Sequence, residues 1–262
     1  MKLSKRLLAL SILLGVVITS MSFISSVKAI AEVNILNHTG YRDSLWSSLR
    51  WYHVVGEVEN TGDVAVKWIE IEATFYDESD AMRATENDYI MSTLNPCRKA
   101  PFEITLMNEV LAAEVHHYDV RIVSYDIATP KPIGLEIPYQ YDYIDRWDRM
   151  IIYGEIKNIG SMTATSVNVV ATYYDTDGNV VGSARTYVQP SDIQPNLTIP
   201  FEISFWDTDR VDYVDSYALE AESNEYVLVP EFSTWSSILL ILIVFTVATA
   251  ICRRRLLKTP IQ

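Results

Sequence analysis

Short stretches in which apolar and polar residues alternate recur along the chain and predict half-buried β-strands. In residues 69–76 every second side chain is apolar, and we expect an inward face formed by Ile69, Ile71, Ala73 and Phe75. The alternation changes phase just before this stretch, near Trp68, which indicates a β-bulge. Residues 101–106 alternate in the same way, with an inward face of Phe102, Ile104 and Leu106.

The same pattern returns 98 positions later in the chain. The matching segments are GEVENTG (residues 56–62) with GEIKNIG (residues 154–160), and ATFYD (residues 73–77) with ATYYD (residues 171–175). Further along, Pro101 and Pro200 are 99 positions apart, so the second copy carries one inserted residue. A repeat of this length is too long for a solenoid unit and suits a whole domain. With about seven short strands expected per copy, each copy is predicted to be a two-sheet β-sandwich.

Several local features of the first copy carry their own predictions. Residues 33–36 predict a short first strand and residues 37–48 a loop. The turn at residues 60–63 predicts a hairpin, because Asn and Gly tolerate the positive φ that hairpin turns require. Residues 110–114 are interpreted as a loop rather than a helical turn. The proline-rich residues 127–138 predict a short, stiff connector between a first domain, residues 32–126, and a second, residues 139–229.

The first 31 residues are typical of a secretory signal peptide. Three basic residues precede an uncharged apolar core at residues 7–18, namely Lys2, Lys5 and Arg6. Small residues follow, and we expect cleavage near Ala29 to Ala31. The alternative is an uncleaved anchor helix.

Residues 232–252 carry no charge and predict a transmembrane helix. A helix of that length is about 31 Å long, close to the thickness of the hydrocarbon layer. Arg253, Arg254 and Arg255 follow it as a membrane stop that favours the cytoplasmic side. The prediction is a single-pass protein of the cell surface, with its N-terminal part outside the cell membrane and residues 256–262 as a cytoplasmic tail.

The charge is distributed unevenly along the chain. The formal net charge is −13, and all 34 Asp and Glu residues lie between Glu32 and Glu231. Eight of the 21 Lys and Arg residues lie outside that window, at the two ends. A middle region this acidic repels phosphate backbones, so no nucleic acid is expected as a partner. A solvated surface is one interpretation of the acidity, and cation binding is the other.

The repeated segments resemble the FxLyD domain family. The resemblance rests on residues 56–62, 73–77 and 101–102 and on their counterparts from Gly154 to Phe201. Phe75 and Tyr173 stand where that motif has leucine. The resemblance implies tandem immunoglobulin-like or fibronectin-like sandwiches of a prokaryotic surface protein, an all-β fold with no catalytic residues to transfer.

The C-terminal segment of residues 230–255 is similar to the PEF-CTERM sorting signals of archaeal surface proteins. The similarity rests on Pro230, Glu231 and Phe232, followed by the apolar span and the three arginines. It implies an archaeal source and processing by an archaeosortase-like enzyme that removes the span. A permanent single-span anchor is the alternative.

The residue types needed for catalysis are sparse. The sequence has no nucleophile elbow, metalloprotease helix or phosphate-binding glycine loop, so we expect no enzyme and no cofactor. Structural or solvent-facing roles are expected for the four histidines, which are His38, His53, His116 and His117. Two glutamates, Glu57 and Glu103, recur as Glu155 and Glu202. Paired carboxylates occur in glycosidases, but recurrence in both copies indicates cross-strand pairing.

Three oxygen-bearing residues at alternate positions, Asp175, Asp177 and Asn179, resemble the start of a calcium loop and are the weak metal candidates of the sequence. The position of the intervening glycine favours a hairpin turn instead. We interpret the acidic loop at residues 206–212 as a turn as well, in preference to a metal site. Asn37 and Asn196 stand in sequons for N-glycosylation. Cys97 and Cys252 are predicted to lie on opposite sides of the membrane and cannot pair within one chain.

These observations favour a non-catalytic cell-surface protein that serves as a spacer, envelope component or adhesion module for other envelope proteins. The alternative is a receptor subunit that binds a glycan or calcium. Exposed tyrosines near the connector, at Tyr139, Tyr141 and Tyr143, suit either a partner or a glycan, and packing between domains is the other explanation. A hydrolase is the least favoured hypothesis. We expect the distinguishing features where the copies disagree, at residues 37–48, 78–100, the connector and the loop at Trp206.

Overall fold

A computed structural model describes residues 29–43 and 50–229. Most of the predicted signal peptide, the Pro230-Glu231-Phe232 motif, the span and the arginine stop lie outside these residues. In the part of the chain that is described, no helix combines the length and the apolar character needed to cross a membrane.

The described residues form thirteen strands and two short helices, so the fold is all-β. The first repeat contains β1 (Val33–Arg42), β2 (Tyr52–Asn60), β3 (Ala65–Tyr76), β4 (Met82–Ile90), β5 (Lys99–Leu106), α1 (Glu109–Glu114) and β6 (His117–Ala128). The second contains β7 (Ile133–Ile144), β8 (Met150–Asn158), β9 (Asn168–Tyr174), β10 (Val180–Tyr187), β11 (Thr198–Phe205), α2 (Thr208–Val211), β12 (Ser216–Glu222) and β13 (Val227–Leu228).

The first repeat consists of two antiparallel three-stranded sheets with a shared core. Their strand orders are β1–β2–β5 and β4–β3–β6. The predicted inward faces are confirmed, because these seven side chains are at most 1% exposed: Ile69, Ile71, Ala73, Phe75, Phe102, Ile104 and Leu106. This arrangement is consistent with the predicted β-sandwich, although six strands rather than seven build it.

The predicted bulge at Trp68 is also confirmed. Trp68 has a φ of +53°, in the left-handed region that a bulky residue adopts only under local constraint. The register of β3 against β6 shifts between Lys67 and Glu70. The bulge changes the phase of the strand, so that Ile69 and its successors face the core.

Two local predictions in the first repeat are wrong. Residues 37–42 are not a loop, because they continue β1 in register with β2 as far as Arg42. Residues 109–114 form the helix α1, and not a loop. The side chain of Asn108 starts this helix by accepting hydrogen bonds from the amides of Val110 and Leu111, at 3.1 and 3.2 Å. That cap satisfies amides that lack a partner within a helix.

The turn that follows Asn60 is not a hairpin turn, which corrects the prediction. It takes the chain from β2 to β3, and these strands belong to different sheets. The fully buried Asn60 side chain holds the crossing, since its Nδ2 donates to the carbonyls of Val64 and Leu94, both at 2.8 Å. Its Oδ1 accepts from the amide of Gly62 at 3.1 Å. The turn does not depend on positive φ, because none of residues 60–63 has a positive φ. Gly178 is the one described glycine that does.

The second repeat follows the same order of strands. Its sheet runs β10–β9–β12–β13–β7–β8–β11, with the short β13 parallel to β7 and joining the two halves. The residues that lie 98 positions after the inward face of β3 are fully buried, as the repeat predicts, and they are Val167, Val169, Ala171 and Tyr173. Since β6 ends at Ala128 and β7 begins at Ile133, strands take in most of the predicted connector. Its last proline, Pro138, lies where the register of β7 shifts.

The contacts between residues divide the chain into two units that differ from the two repeats. Unit 1 contains the described residues up to Lys131 together with Ala171–Ala184 and Phe205–Ala218. Unit 2 contains Pro132–Val170, Arg185–Ser204 and the described residues from Leu219 onward. Two segments of the second repeat therefore complete unit 1.

Candidate functional site

The outer face of the sheet β1–β2–β5 gathers polar side chains, and we call it the joint face. Its members are Asn37, Tyr41, His53, Glu57 and Glu103. The register explains why they share a face: Tyr41 lies opposite His53, and Asn37 lies opposite Glu57. Residues directly opposite each other in an antiparallel pair point to the same side of the sheet.

His53 is 9% exposed and lies between two carboxylates. Its Nε2 is 3.1 Å from Asp43 Oδ1, and its Nδ1 is 3.1 Å from Glu103 Oε1. The ring of Tyr41 stacks on the imidazole, with centroids 5.0 Å apart and planes 15° apart. With an acceptor at each ring nitrogen, this setting suits the doubly protonated imidazolium, which donates at both positions.

Burial acts to lower the pKa of His53, but other interactions outweigh it. The hydrogen bond and charge of Glu103, with the charges of Asp43 and Asp207, raise the pKa above its ordinary value. The folded state therefore holds the proton more tightly than the unfolded state does.

This shift predicts a loss of stability as the pH rises. His53 should stabilise the fold fully below about pH 6.5, the value in an unfolded chain, and the contribution should fade as the pH rises through the raised pKa. Urea unfolding of the full chain at a series of pH values between about 6 and 9 would measure it. His53→Gln should show a flatter dependence. An identical dependence in both proteins would contradict this role of His53.

Segments of the second repeat cover the joint face within unit 1. The hydroxyl of Tyr41 donates to Asp207 Oδ2 at 2.8 Å, directly before α2. The guanidinium of Arg210 lies 4.3 Å from the centroid of the Tyr41 ring. Burial raises the pKa of the Asp207 carboxyl, and burial together with the Asp207 charge raises that of Tyr41. The loop at residues 206–212 thus serves as a packing element of unit 1.

A second group of contacts lies at the other end of the joint face. The hydroxyl of Tyr174 donates to Glu57 Oε1 at 2.5 Å, and Lys99 Nζ is 3.3 Å from Glu57 Oε2. Glu57 is 3% exposed, so these partners compensate for its buried charge. Asn37 Nδ2 donates to the carbonyl of Gly178 at 3.0 Å. That nitrogen is the atom that the predicted glycosylation would modify.

The corresponding face of unit 2 is formed by tyrosines, and we call it the tyrosine face. Tyr139, Tyr141 and Tyr143 follow one another on the same side of β7, and Tyr153 of β8 lies opposite Tyr141. Their ring centroids are 5.4 to 6.1 Å apart. The first three are 55%, 44% and 43% exposed. Glu155, opposite Tyr139, adds a carboxylate to this face.

The weak metal candidates lie together in the turn between β9 and β10. Asp175 Oδ1 accepts hydrogen bonds from the amides of Asp177 and Asn179, at 2.9 and 2.8 Å. The side chain and backbone of Asn179 hold the pKa of Asp175 below its ordinary value. Within residues 29–43 and 50–229, no three His, Cys, Asp or Glu side chains are grouped so as to hold a metal ion.

The second sequon residue, Asn196, is exposed and has a φ of +65°. It lies between β10 and β11, away from the turn at Asp175.

No local pattern in the sequence indicated the cluster around His53. Asp43 and Glu103 are 10 and 50 positions away from the histidine. Two features of the sequence did point to parts of these surfaces. They are the spacing of Tyr139, Tyr141 and Tyr143, and the loop at Trp206, where the two repeats differ.

No protein-family model and no curated protein matches the chain. Among solved structures it is similar to a red sea bream transglutaminase, at 9% identity and a TM-score of 0.25, over 78% of this chain and 32% of that one. It is also similar to an exo-chitosanase of Amycolatopsis orientalis, at 10% identity and a TM-score of 0.26, over 69% of this chain and 25% of that one. A third similar structure is a β-glucuronidase of glycoside hydrolase family 2, at 12% identity and a TM-score of 0.24, over 78% of this chain and 26% of that one. The chain spans about a third or less of these three structures, and so distant a likeness carries no argument about activity.

Proposed function

We propose that this protein is a non-catalytic cell-surface protein whose second repeat binds a protein partner through the tyrosine face. The observation that carries the proposal is the row of Tyr139, Tyr141 and Tyr143, about half exposed on one side of β7. Joined by Tyr153, the rings form one continuous aromatic surface.

Exposed tyrosines are suited to this task for physical reasons. Each ring offers a large apolar area that loses little side-chain entropy on binding, and its hydroxyl can still form a hydrogen bond. Aromatic residues are enriched at the centres of protein interfaces. An aromatic row on a solvent-facing sheet surface is therefore best explained by a partner that covers it.

The location outside the membrane rests on the sequence. The apolar stretches at residues 7–18 and 232–252, together with the basic residues beside them, support export and anchoring. The resemblances to FxLyD domains and PEF-CTERM segments support the same location. Whether the span is retained or removed by an archaeosortase-like enzyme is decided by the mass of the mature C-terminus.

Glycan binding is the second candidate, because a row of aromatic rings also suits the apolar faces of sugars. The same surface would be used, so both candidates make the tyrosine face essential. They differ in the ligand that the surface retains.

Replacing two tyrosines of the row by alanine should weaken binding. We expect the full-length Tyr141→Ala/Tyr143→Ala protein to bind isolated cell envelopes at least about tenfold more weakly, because interface aromatics carry much of the binding energy. Tyr187→Ala is the matched control, since this tyrosine of β10 is 60% exposed and lies elsewhere. Equal retention of all three proteins would exclude the tyrosine face as the binding surface. Protease treatment or deglycosylation of the envelopes would separate a protein ligand from a glycan.

A further inference from the structure

Unit 1 shows how the outer face of one repeat receives the end of another. We call Tyr174, the β9–β10 turn, Asp207 and α2 together the α2 end. It covers the joint face through three hydrogen bonds. The donor and acceptor pairs are Tyr41 with Asp207, Tyr174 with Glu57, and Asn37 with Gly178. Arg210 over the Tyr41 ring adds a cation–π contact.

The tyrosine face occupies the same position in the second repeat as the joint face does in the first. The strand register shows the equivalence, since Tyr143 lies opposite Ile151 as Tyr41 lies opposite His53. By the same register Tyr141 replaces Thr39, and Tyr139 replaces Asn37. The acceptor Glu57 is retained as Glu155, and Tyr41 is retained as Tyr143.

The first repeat has an end equivalent to the α2 end, formed by the β3–β4 turn and α1, and we call it the α1 end. Tyr76 stands for Tyr174, and Asn108 stands for Asp207 as the residue that precedes the helix. Asp80 stands for Gly178, and both have positive φ, at +60° and +81°. The two turns share their hydrogen bonds as well, because Asp77 Oδ1 accepts from the amides of Ser79 and Ala81 as Asp175 does in its own turn.

Compared with the surfaces joined in unit 1, the α1 end and the tyrosine face both carry fewer polar and more apolar or aromatic side chains. At the α1 end, Met107 and Val110 replace Trp206 and Asp209 and are 62% and 70% exposed. On the tyrosine face, aromatic rings replace Thr39 and Asn37. Thioethers and aliphatic groups pack well against aromatic rings, so the two exposed surfaces complement each other by apolar contact.

We propose that the tyrosine face of one molecule binds the α1 end of a second copy of this chain, in a head-to-tail contact. This inference rests on the proposed function, in that it names the protein partner of the tyrosine face. The contact resembles the arrangement of unit 1, with Tyr76 donating to Glu155. Asn108 Oδ1 already accepts hydrogen bonds from the amides of Val110 and Leu111, so its Nδ2 donates to the hydroxyl of Tyr143. Because the two surfaces are different, each pair of molecules retains one unused tyrosine face and one unused α1 end, and the contact propagates into a chain of molecules.

The test uses two full-length variants in detergent, each altered on one surface. Tyr141→Ala/Tyr143→Ala alters the tyrosine face, and Met107→Asp/Val110→Asp alters the α1 end. Sedimentation velocity at increasing protein concentration should show growing assemblies for the unaltered chain. Each variant alone should associate at least about tenfold more weakly. All four side chains are more than 40% exposed, and unchanged unfolding midpoints would show that both variants fold.

Mixing the two variants is the decisive step. One variant keeps the intact α1 end and the other keeps the intact tyrosine face, so the mixture should form a one-to-one dimer that does not grow further. A mixture that stays monomeric, while the unaltered chain associates, would overturn the head-to-tail contact. An unaltered chain that stays monomeric would overturn it too. If the tyrosine variant then still loses binding to envelopes or to glycans, the proposed function survives with a different partner.

Discussion

Replacing Phe102 by alanine should lower the free energy of unfolding by about 3–5 kcal/mol, the cost typical of removing a buried aromatic ring. Phe102 is 1% exposed in the core of the first repeat. Its ring also fills the space above Gly56, where an added Cβ would lie 2.4 Å from Phe102 Cζ. Chemical unfolding of the full chain measures the loss. Met107→Ala is the control, because Met107 is 62% exposed and follows β5 directly, so a change within about 0.5 kcal/mol is expected.

The pairing of Phe102 with Gly56 can be tested by a double-mutant cycle. Gly56→Ala alone should destabilise the fold by about 1–3 kcal/mol through overpacking. In the Phe102→Ala background the same substitution should cost less, because the ring that it meets is gone. Some cost should remain, since the carbonyl oxygen of Asn37 lies 2.7 Å from the same position. Strictly additive costs would show that Gly56 is glycine for a reason unrelated to the ring.

Replacing Asn60 by alanine should cost about 1–3 kcal/mol, because buried polar groups then lose their partner. The side chain is fully buried and connects the carbonyls of Val64 and Leu94 with the amide of Gly62. Asn158 forms the same bonds in the second repeat, to Met162, Ile193 and Gly160. Asn158→Ala should therefore reproduce the loss.

Thermal unfolding of the full chain provides the measurement for both asparagines. Asn87→Ala is the matched control, since the Asn87 side chain is exposed and donates to Glu70 Oε1 at 2.9 Å. We expect this control to change stability by less than about 0.5 kcal/mol. If Asn60→Ala and Asn158→Ala behave like the control, the asparagine bonds do not hold the crossings between strands.

The inward faces of the strands could be predicted because alternation is a local property of the sequence. Ile69 to Phe75 and Phe102 to Leu106 needed no knowledge of their partners. The turn at Asn60 was visible, but a local turn signal does not state which sheet receives the next strand. The short helix α1 was missed because its six residues offer less than two helical turns of pattern. Asn108 was the overlooked signal, as a side chain able to cap the helix.

The joint face could not be predicted because its contacts join distant parts of the chain. Tyr41 and Asp207 are 166 positions apart, and Glu57 and Tyr174 are 117 apart. Residues 37–42 resembled a loop because they are polar, and every second one of them, namely Asn37, Thr39 and Tyr41, lies on the side of this covered surface. The tyrosine row was visible as spacing along one strand, but its exposure depends on the register of β7 against β8.

The interleaved composition of unit 1 affects the order in which the protein can mature during synthesis. Residues up to Lys131 leave the ribosome before Ala171–Ala184 and Phe205–Ala218. Until those segments arrive, Tyr41, Glu57 and the amide of Asn37 have no covering surface. The joint face is thus accessible to other proteins for the time needed to synthesise the rest of the chain. If the predicted glycosylation of Asn37 took place, a sugar added in this interval would occupy the place of the Gly178 carbonyl, and modification would compete in time with closure of unit 1.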